Sequence, residues 1–279
     1  MNVGKALSRY VDAQAVTKKL DELIKLPIYS ITEDALRRYE SDYFDKKCAG
    51  AKARNYPFPL VFTSAKGHML TDIDGNQYYD FLQSGGPTVL GSNDDFVRAK
   101  VCELLDTCGP STGLFHEYEY LLASKIAELV PSVDMFRMYT SGTEACMVAS
   151  RVARLATKKK HIVKMGGAYH GWSDQLAYGI RIPGTKGLQS HGIPGFCFSR
   201  TEEFFPNDLN SLERLLRRNA LRGGTAAVFL EPIGPESGTR PVDFGFDKGV
   251  EALCRKYGAL LIFDEVVTGF RMGMDGAQG

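Results

Sequence analysis

The sequence predicts an α/β protein, a mainly parallel sheet covered by helices, and three observations carry that prediction. Helical and strand patterns take turns from about residue 115 onward. The strand runs are apolar at consecutive positions, as strands buried on both faces are, and amphipathic helical stripes separate them.

Residues 1–55 read as a polar, amphipathic helical arm that ends in a loop before Pro57 and Pro59. The next segment, 56–114, contains "GHMLTDIDGNQYYDFL". Its alternation and its Asp74-Gly75-Asn76 turn predict a β-hairpin, because Asp-Gly accepts the backbone angles of tight hairpin turns. "DIDGN" also resembles the opening of a calcium loop, but no glutamate stands at the last ligand position, so the hairpin is preferred.

The third segment, 115–279, is the expected large domain. Its predicted strands are "MFRMYT" (135–140), "HIVKMG" (161–166), "GFCFS" (195–199), "AAVFLEP" (226–232) and "ALLIFDE" (259–265). Between them, "TEACMVASRVARLAT" places Ala145, Val148, Ala149, Val152 and Leu155 on one helical stripe. "DLNSLERLLRRNAL" and "FDKGVEALCRKY" have similar spacing. In such sheets ligands sit beyond the carboxyl ends of the strands.

Composition narrows the function classes. With 34 basic and 33 acidic residues interspersed, the net charge is +1, which gives no electrostatic reason to expect nucleic acid or an anionic membrane as partner. Six cysteines lie far apart with no CxxC, so free thiols and a reducing, cytoplasmic location are expected. The N-terminus mixes acidic and basic residues without a continuous apolar core, which fits neither a secretory signal nor a membrane anchor. The five histidines show no HExxH and no tight cluster, so no metal site is expected.

Three strand ends carry candidate chemistry. In "TSGTEA" the chain runs through Ser141, Gly142 and Thr143 straight into a helix, where free N–H groups, two hydroxyls and the positive helix end suit a phosphate. An ordinary helix cap by Ser141 or Thr143 is the plainer alternative. Nothing fits the G-x-G-x-x-G dinucleotide fingerprint, and "GIRIPGTKG" has its threonine and lysine in the wrong order for a P-loop.

In "GGAYHGW", Tyr169 and His170 could face a planar ring or simply fill a loop above the sheet. Asp264 ends the apolar run Leu260 to Phe263, and a carboxylate there is costly to bury unless a cation or donor meets it. A protonated heterocycle is one such cation, and a phosphate seat, a stacking tyrosine and a pyridinium partner together describe pyridoxal phosphate.

On these residues the chain resembles the class III aminotransferases, fold-type I pyridoxal-phosphate enzymes that include glutamate-1-semialdehyde aminomutase and ornithine and ω-amino-acid transaminases. The resemblance covers most of the chain. It runs through "TDIDGNQYYDFLQSGGPTVLG", "TGLFHEYEYLLASKIAELVP", "MYTSGTEACMVASRVAR", "GAYHGW", "VFLEPIGPESG" and "ALLIFDEVVTGFR", in the family's order. It implies that Ser141, Gly142 and Thr143 bind the cofactor phosphate, and that Tyr169 stacks on the ring with His170 beside it. Asp264 would then pair with the ring nitrogen, Val266 would pack on the opposite ring face, and Glu231 would support the site from its strand end.

The family's Schiff-base lysine follows the "DEVVTGFR" motif by several dozen residues, whereas the last lysine here is Lys256, in an expected solvated helix end. The chain is therefore expected to be an N-terminal portion lacking that lysine and the small C-terminal domain, and to be inactive alone. A non-catalytic fragment is the alternative from another class.

The resemblance implies a small-molecule amino acid or amine as substrate and, for the full-length form, a homodimer. Aminotransferase ranks first and aminomutase second, because Glu236 stands where aminomutases usually carry asparagine. Family glutamates at that point can engage an arginine, expected here in the absent part. Ser84, in "QSGGPTVLG" (83–91), is a candidate for contacting a substrate carboxylate, and "HEYEY" (116–120) is the second loop expected to reach the substrate pocket.

Overall fold

The computed structural model describes residues 62–72, 75–109, 115–188 and 190–279. The expected arm at 1–55 lies outside them. The chain divides into two compact units at about residue 110.

The first unit holds strands β1 (Phe62–Lys66), β2 (Met69–Asp72) and β3 (Gln77–Tyr79), followed by helix α1 (Asp95–Thr107). The strands form an antiparallel sheet in that order. The β2–β3 turn is held by the Asp72 carboxylate, which accepts from the Asn76 N–H at 2.8 Å and the Tyr78 hydroxyl at 2.9 Å. Gly75 takes the positive φ of 84° that the turn demands. Asp94 caps α1 by accepting from the Val97 N–H at 3.0 Å.

The second unit holds helices α2 (Glu117–Leu129) and α3 (Gly142–Thr157), strands β4 (His161–Met165) and β5 (Thr201–Phe204), then α4 (Leu209–Ala220), β6 (Thr225–Leu230), the single turn α5 (Pro235–Gly238), α6 (Phe246–Tyr257) and β7 (Leu260–Phe263). Its four strands are all parallel, in the order β5-β4-β6-β7. Every residue of the central strands β4 and β6 is buried, which is why their sequences are mostly apolar, with His161 and Lys164 the exceptions in β4.

Side chains alternate across the sheet, so each face has its own core. Val163, Met165, Val228 and Leu230 pack with Leu212 and Leu216 of α4 and with Val250 and Cys254 of α6. Ile162, Ala227 and Phe229 pack on the other face against Cys146 and Ala153 of α3 and against Leu176. Burying each leucine of α4 contributes roughly 1.5–3 kcal/mol.

Four expectations need correction. "HEYEY" (116–120), expected as a loop, opens α2, with His116 as its N-cap. Residues 135–140 form no strand: they run as unpaired, irregular chain, and Met135 is 92% exposed. Apolar alternation there has no neighbouring strand to bond with, and backbone pairing, not apolarity, makes a strand. Residues 195–198 form a 3-10 helix, started by Pro194, and the edge strand is the adjacent, more polar "TEEF" of β5. The buried face of α3 is Cys146, Ser150 and Ala153, while Val152 and Leu155 are exposed. Small side chains let this helix approach the sheet closely, so the face was set by size and not by hydrophobicity.

Among the described residues no helix is long and apolar enough to cross a membrane. The placement of α3 is testable by urea unfolding. Ala153→Leu overfills the tight face and is expected to cost about 1–3 kcal/mol. Leu155→Ala should change stability by less than about 0.5 kcal/mol; the opposite ranking would contradict the assignment of the buried face.

Candidate functional site

At the entry to α3, Ser141 is extended (φ −149°, ψ 156°) and its Oγ accepts from the Glu144 N–H at 3.3 Å. Glu144 reaches back to the hydroxyls of Ser141, at 3.2 Å, and of Thr140. The Thr140 hydrogen bond, with help from Ser141, holds the Glu144 carboxyl below its usual range. This cap satisfies the third N–H of the helix. The N–H groups of Gly142 and Thr143, in the first turn, have no partner within the helix and join its positive end in favouring an anion.

The chain leaves β4 through Gly166 and Gly167 into the loop bearing Tyr169 and His170. Tyr169 is half exposed, and its N–H donates to Glu231 Oε1 at 3.0 Å. Glu231 follows β6 directly and is buried. His170 is fully buried, with its ring 5.2 Å from that of Phe229.

Asp264 follows β7, and its N–H extends the β6–β7 ladder by donating to the Leu230 carbonyl at 2.8 Å. Its Oδ2 lies 2.7 Å from His170 Nδ1 and 3.6 Å from the Cys146 thiol, while Oδ1 accepts from the Val266 N–H at 3.1 Å. Burial alone would push this carboxyl up. The His170 hydrogen bond and charge, the Val266 N–H and the Cys146 thiol outweigh burial and hold it below its ordinary value. Burial, reinforced by the Asp264 charge, pushes the Cys146 thiol well up. His170 Nε2 is buried and bonds to nothing among the described residues.

Two glycines join the start of α3 to the segments that follow β4 and β7. A Cβ on Gly142 would lie 2.8 Å from Val266 Cγ2, so the start of α3 packs directly on the segment after β7. Gly171, at φ +87°, packs its Cα against Thr143, where a methyl group would collide. Ser141, Gly142, Thr143, Tyr169, His170, Glu231, Asp264 and Val266 are thus gathered on one rim of the parallel sheet.

Ser84 and Glu236 belong to other segments of the chain. Ser84 lies in the first unit, exposed, in a 3-10 turn (Gln83–Gly85) with φ 56°. Glu236, in α5 with φ 51°, has Arg181 Nε 3.8 Å away. An arginine of this chain therefore already faces the glutamate. Sequence reasoning missed Arg181, Cys146 and the direct bond between His170 and Asp264. The first two carry no motif, and the third depends on how far β4 and β7 are offset in space.

The model of the family "Aminotransferase class-III" matches residues 51–278. A curated relative, glutamate-1-semialdehyde 2,1-aminomutase 2 of Lachnoclostridium phytofermentans, is 41% identical over 225 residues, which cover 79% of this chain and 52% of the relative. The fold is similar to that of an omega-transaminase from Sphaerobacter thermophilus, with a TM-score of 0.75, 27% identity, and coverage of 88% of this chain and 57% of the other. It is equally similar, at TM-score 0.75 and 26% identity, to a transaminase with PLP bound, covering 90% of this chain and 56% of that one. The chain spans about half the length of the curated relatives it matches.

The lowered carboxyl of Asp264 has a consequence for acid stability. Folded Asp264 binds a proton less readily than in the unfolded chain, so it favours the folded state above the ordinary value of 3.8. That contribution disappears as the pH falls through the lower native value. Asp264→Asn should remove this acid-side loss, flattening the stability profile below about pH 4 in urea titrations. An unchanged acid limb in the variant would contradict the ionised Asp264 carboxylate.

Proposed function

The chain belongs to the class III aminotransferases, and from that premise we propose that its rim holds pyridoxal 5′-phosphate for amino-group transfer between an amino acid or amine and a carbonyl acceptor. The observation that carries this reading is Asp264: a buried carboxylate, held ionised by His170, Val266 and Cys146, at the carboxyl end of a parallel strand.

The residues present fit such a group. Gly142 and Thr143 offer N–H donors at a helix start, with the Ser141 and Thr143 hydroxyls beside them, to a dianionic phosphate. Tyr169 offers a half-exposed ring for stacking. Val266 is also half exposed and offers the opposing apolar face. Gly142 and Gly171 let Val266 and Thr143 close on this cradle, since a Cβ at either would collide with them.

When bound, the pyridine ring supplies an electron sink for bonds broken at the amino-bearing carbon, provided its nitrogen stays protonated. Asp264 would keep a proton at that nitrogen by offering an anionic acceptor whose own side chain is largely shielded from water. His170 fixes the carboxylate through Nδ1 and spreads its charge over an imidazole packed on Phe229. Glu231 holds the Tyr169 backbone and with it the height of the stacking ring.

Ser84 and Glu236 are proposed to contact substrate, with Arg181 as the nearby cation for Glu236. The residues described here are proposed to supply the cofactor-binding side of the site. A homodimeric, cytoplasmic protein is the proposed setting. A second reading, intramolecular transfer of the aminomutase type, is favoured by the name of the 41% identical relative. Feeding the full-length protein glutamate-1-semialdehyde with no added acceptor separates the two: conversion supports the mutase, whereas dependence on a separate amino donor and carbonyl acceptor supports the transferase.

Cofactor binding is tested on the chain with pyridoxamine 5′-phosphate, whose amine avoids random reaction with surface lysines. The wild-type chain is expected to bind it, and Asp264→Ala to weaken binding by about 10–100-fold, the loss of one charge-assisted contact. Equal affinities in both proteins would sink the assignment of Asp264.

A further inference from the structure

Among the described lysines and arginines, Lys164 alone is fully buried. It sits in the centre of β4, on the sheet face that also bears Ile162 and packs against α3. Its neighbour across the ladder on β5 is Glu203, and Glu231 and Asp264 end the two strands on its other side. Burying an ammonium carries a large desolvation cost, and an apolar side chain of similar length would avoid it. The cation is therefore expected to serve something that packing alone would not.

Its contacts show what that is. Nζ donates to the carbonyl of Ala168 and to that of Tyr178, each at 2.6 Å. These carbonyls belong to the two arms of the loop that carries Tyr169 and His170. The same loop is tied by Glu231 to the Tyr169 N–H and by Asp264 to His170 Nδ1. Three strands thus each send one charged group to the loop, the cation from β4 and the carboxylates from beyond β6 and β7.

We propose that Lys164 is a positioning residue: its ammonium draws the Ala168 and Tyr178 carbonyls together and so fixes where Tyr169 and His170 present their rings. The consequence for cofactor binding rests on the reading of the site given above, whereas the consequence for the loop does not. Burial pushes the Lys164 ammonium down to about 8, with Glu203, Glu231 and Asp264 holding it up against that effect. The other titratable groups facing it are Cys146 from α3 and His170 and Tyr178 from the loop. A neutral amine keeps two donors, but they are weaker than charge-assisted ones.

Amide hydrogen exchange on the unliganded chain tests the loop directly. In Lys164→Met, residues 167–171 are expected to exchange about tenfold faster, while the β6 amides stay protected. Lys164→Gln, which restores an uncharged donor, should recover part of that protection. In the wild type, protection of the loop relative to β6 should fall between about pH 7 and pH 9.5, after correction for intrinsic exchange, as the ammonium loses its proton. In both variants that pH dependence should vanish.

Equal loop exchange in wild type and Lys164→Met, or a flat wild-type pH profile, would overturn the proposal. Should Lys164→Met not fold, Lys164→Gln and the wild-type profile decide the matter. Titration with pyridoxamine 5′-phosphate is the second arm, with Lys164→Met expected to bind about fivefold or more weakly and to lose quenching of the ligand's fluorescence by Tyr169. A wild-type chain that binds no pyridoxamine 5′-phosphate would remove the cofactor reading and leave the exchange comparison to decide on Lys164.

Discussion

An ionised carboxylate that loses its water must find donors, and the rim of the parallel sheet is arranged around that demand at Asp264. His170, the Val266 N–H and the Cys146 thiol each come from a different segment: the loop after β4, the turn after β7 and the buried face of α3. Meeting the demand therefore fixes three elements against one another. In the proposed function, a cationic ring nitrogen is the further partner of this carboxylate.

Close approach is the second constraint. Gly142 lets Val266 come down on the start of α3, and Gly171 lets the His170 loop come down on Thr143. The small buried face of α3, Cys146, Ser150 and Ala153, continues the same logic along the helix. Packing decides this geometry, since the start of α3, the Tyr169–His170 loop and the segment after β7 meet only because no side chain stands between them. The fold shared with transaminases is in this sense a means of bringing strand ends within bonding distance.

Much of this was legible in the sequence. The central strands β4 and β6 and the edge strand β7 announce themselves by largely apolar runs, and α4 and α6 by leucine and valine at helical spacing. The aspartate after Phe263 stands out for the same reason, being a charge where the pattern says core. Less legible was β5, whose two glutamates look like surface. They are paired instead: Glu202 with Arg218 and Asn219, and Glu203 with the N–H groups of Gly184 and Lys186. Lys164 was hidden by the opposite error, a charge within an apolar strand that reads as tolerated noise. Its partners are loop carbonyls 4 and 14 residues onward, and no periodicity reveals those.

The central claim is that Asp264 keeps a bound ring nitrogen charged, and the nitrogen itself reports this. Pyridoxamine 5′-phosphate labelled with 15N in the ring, bound to the chain near neutral pH, is expected to resonate where protonated pyridine nitrogens do, and Asp264→Asn should shift it to the unprotonated position. A neutral-ring resonance in the wild-type complex would contradict the account.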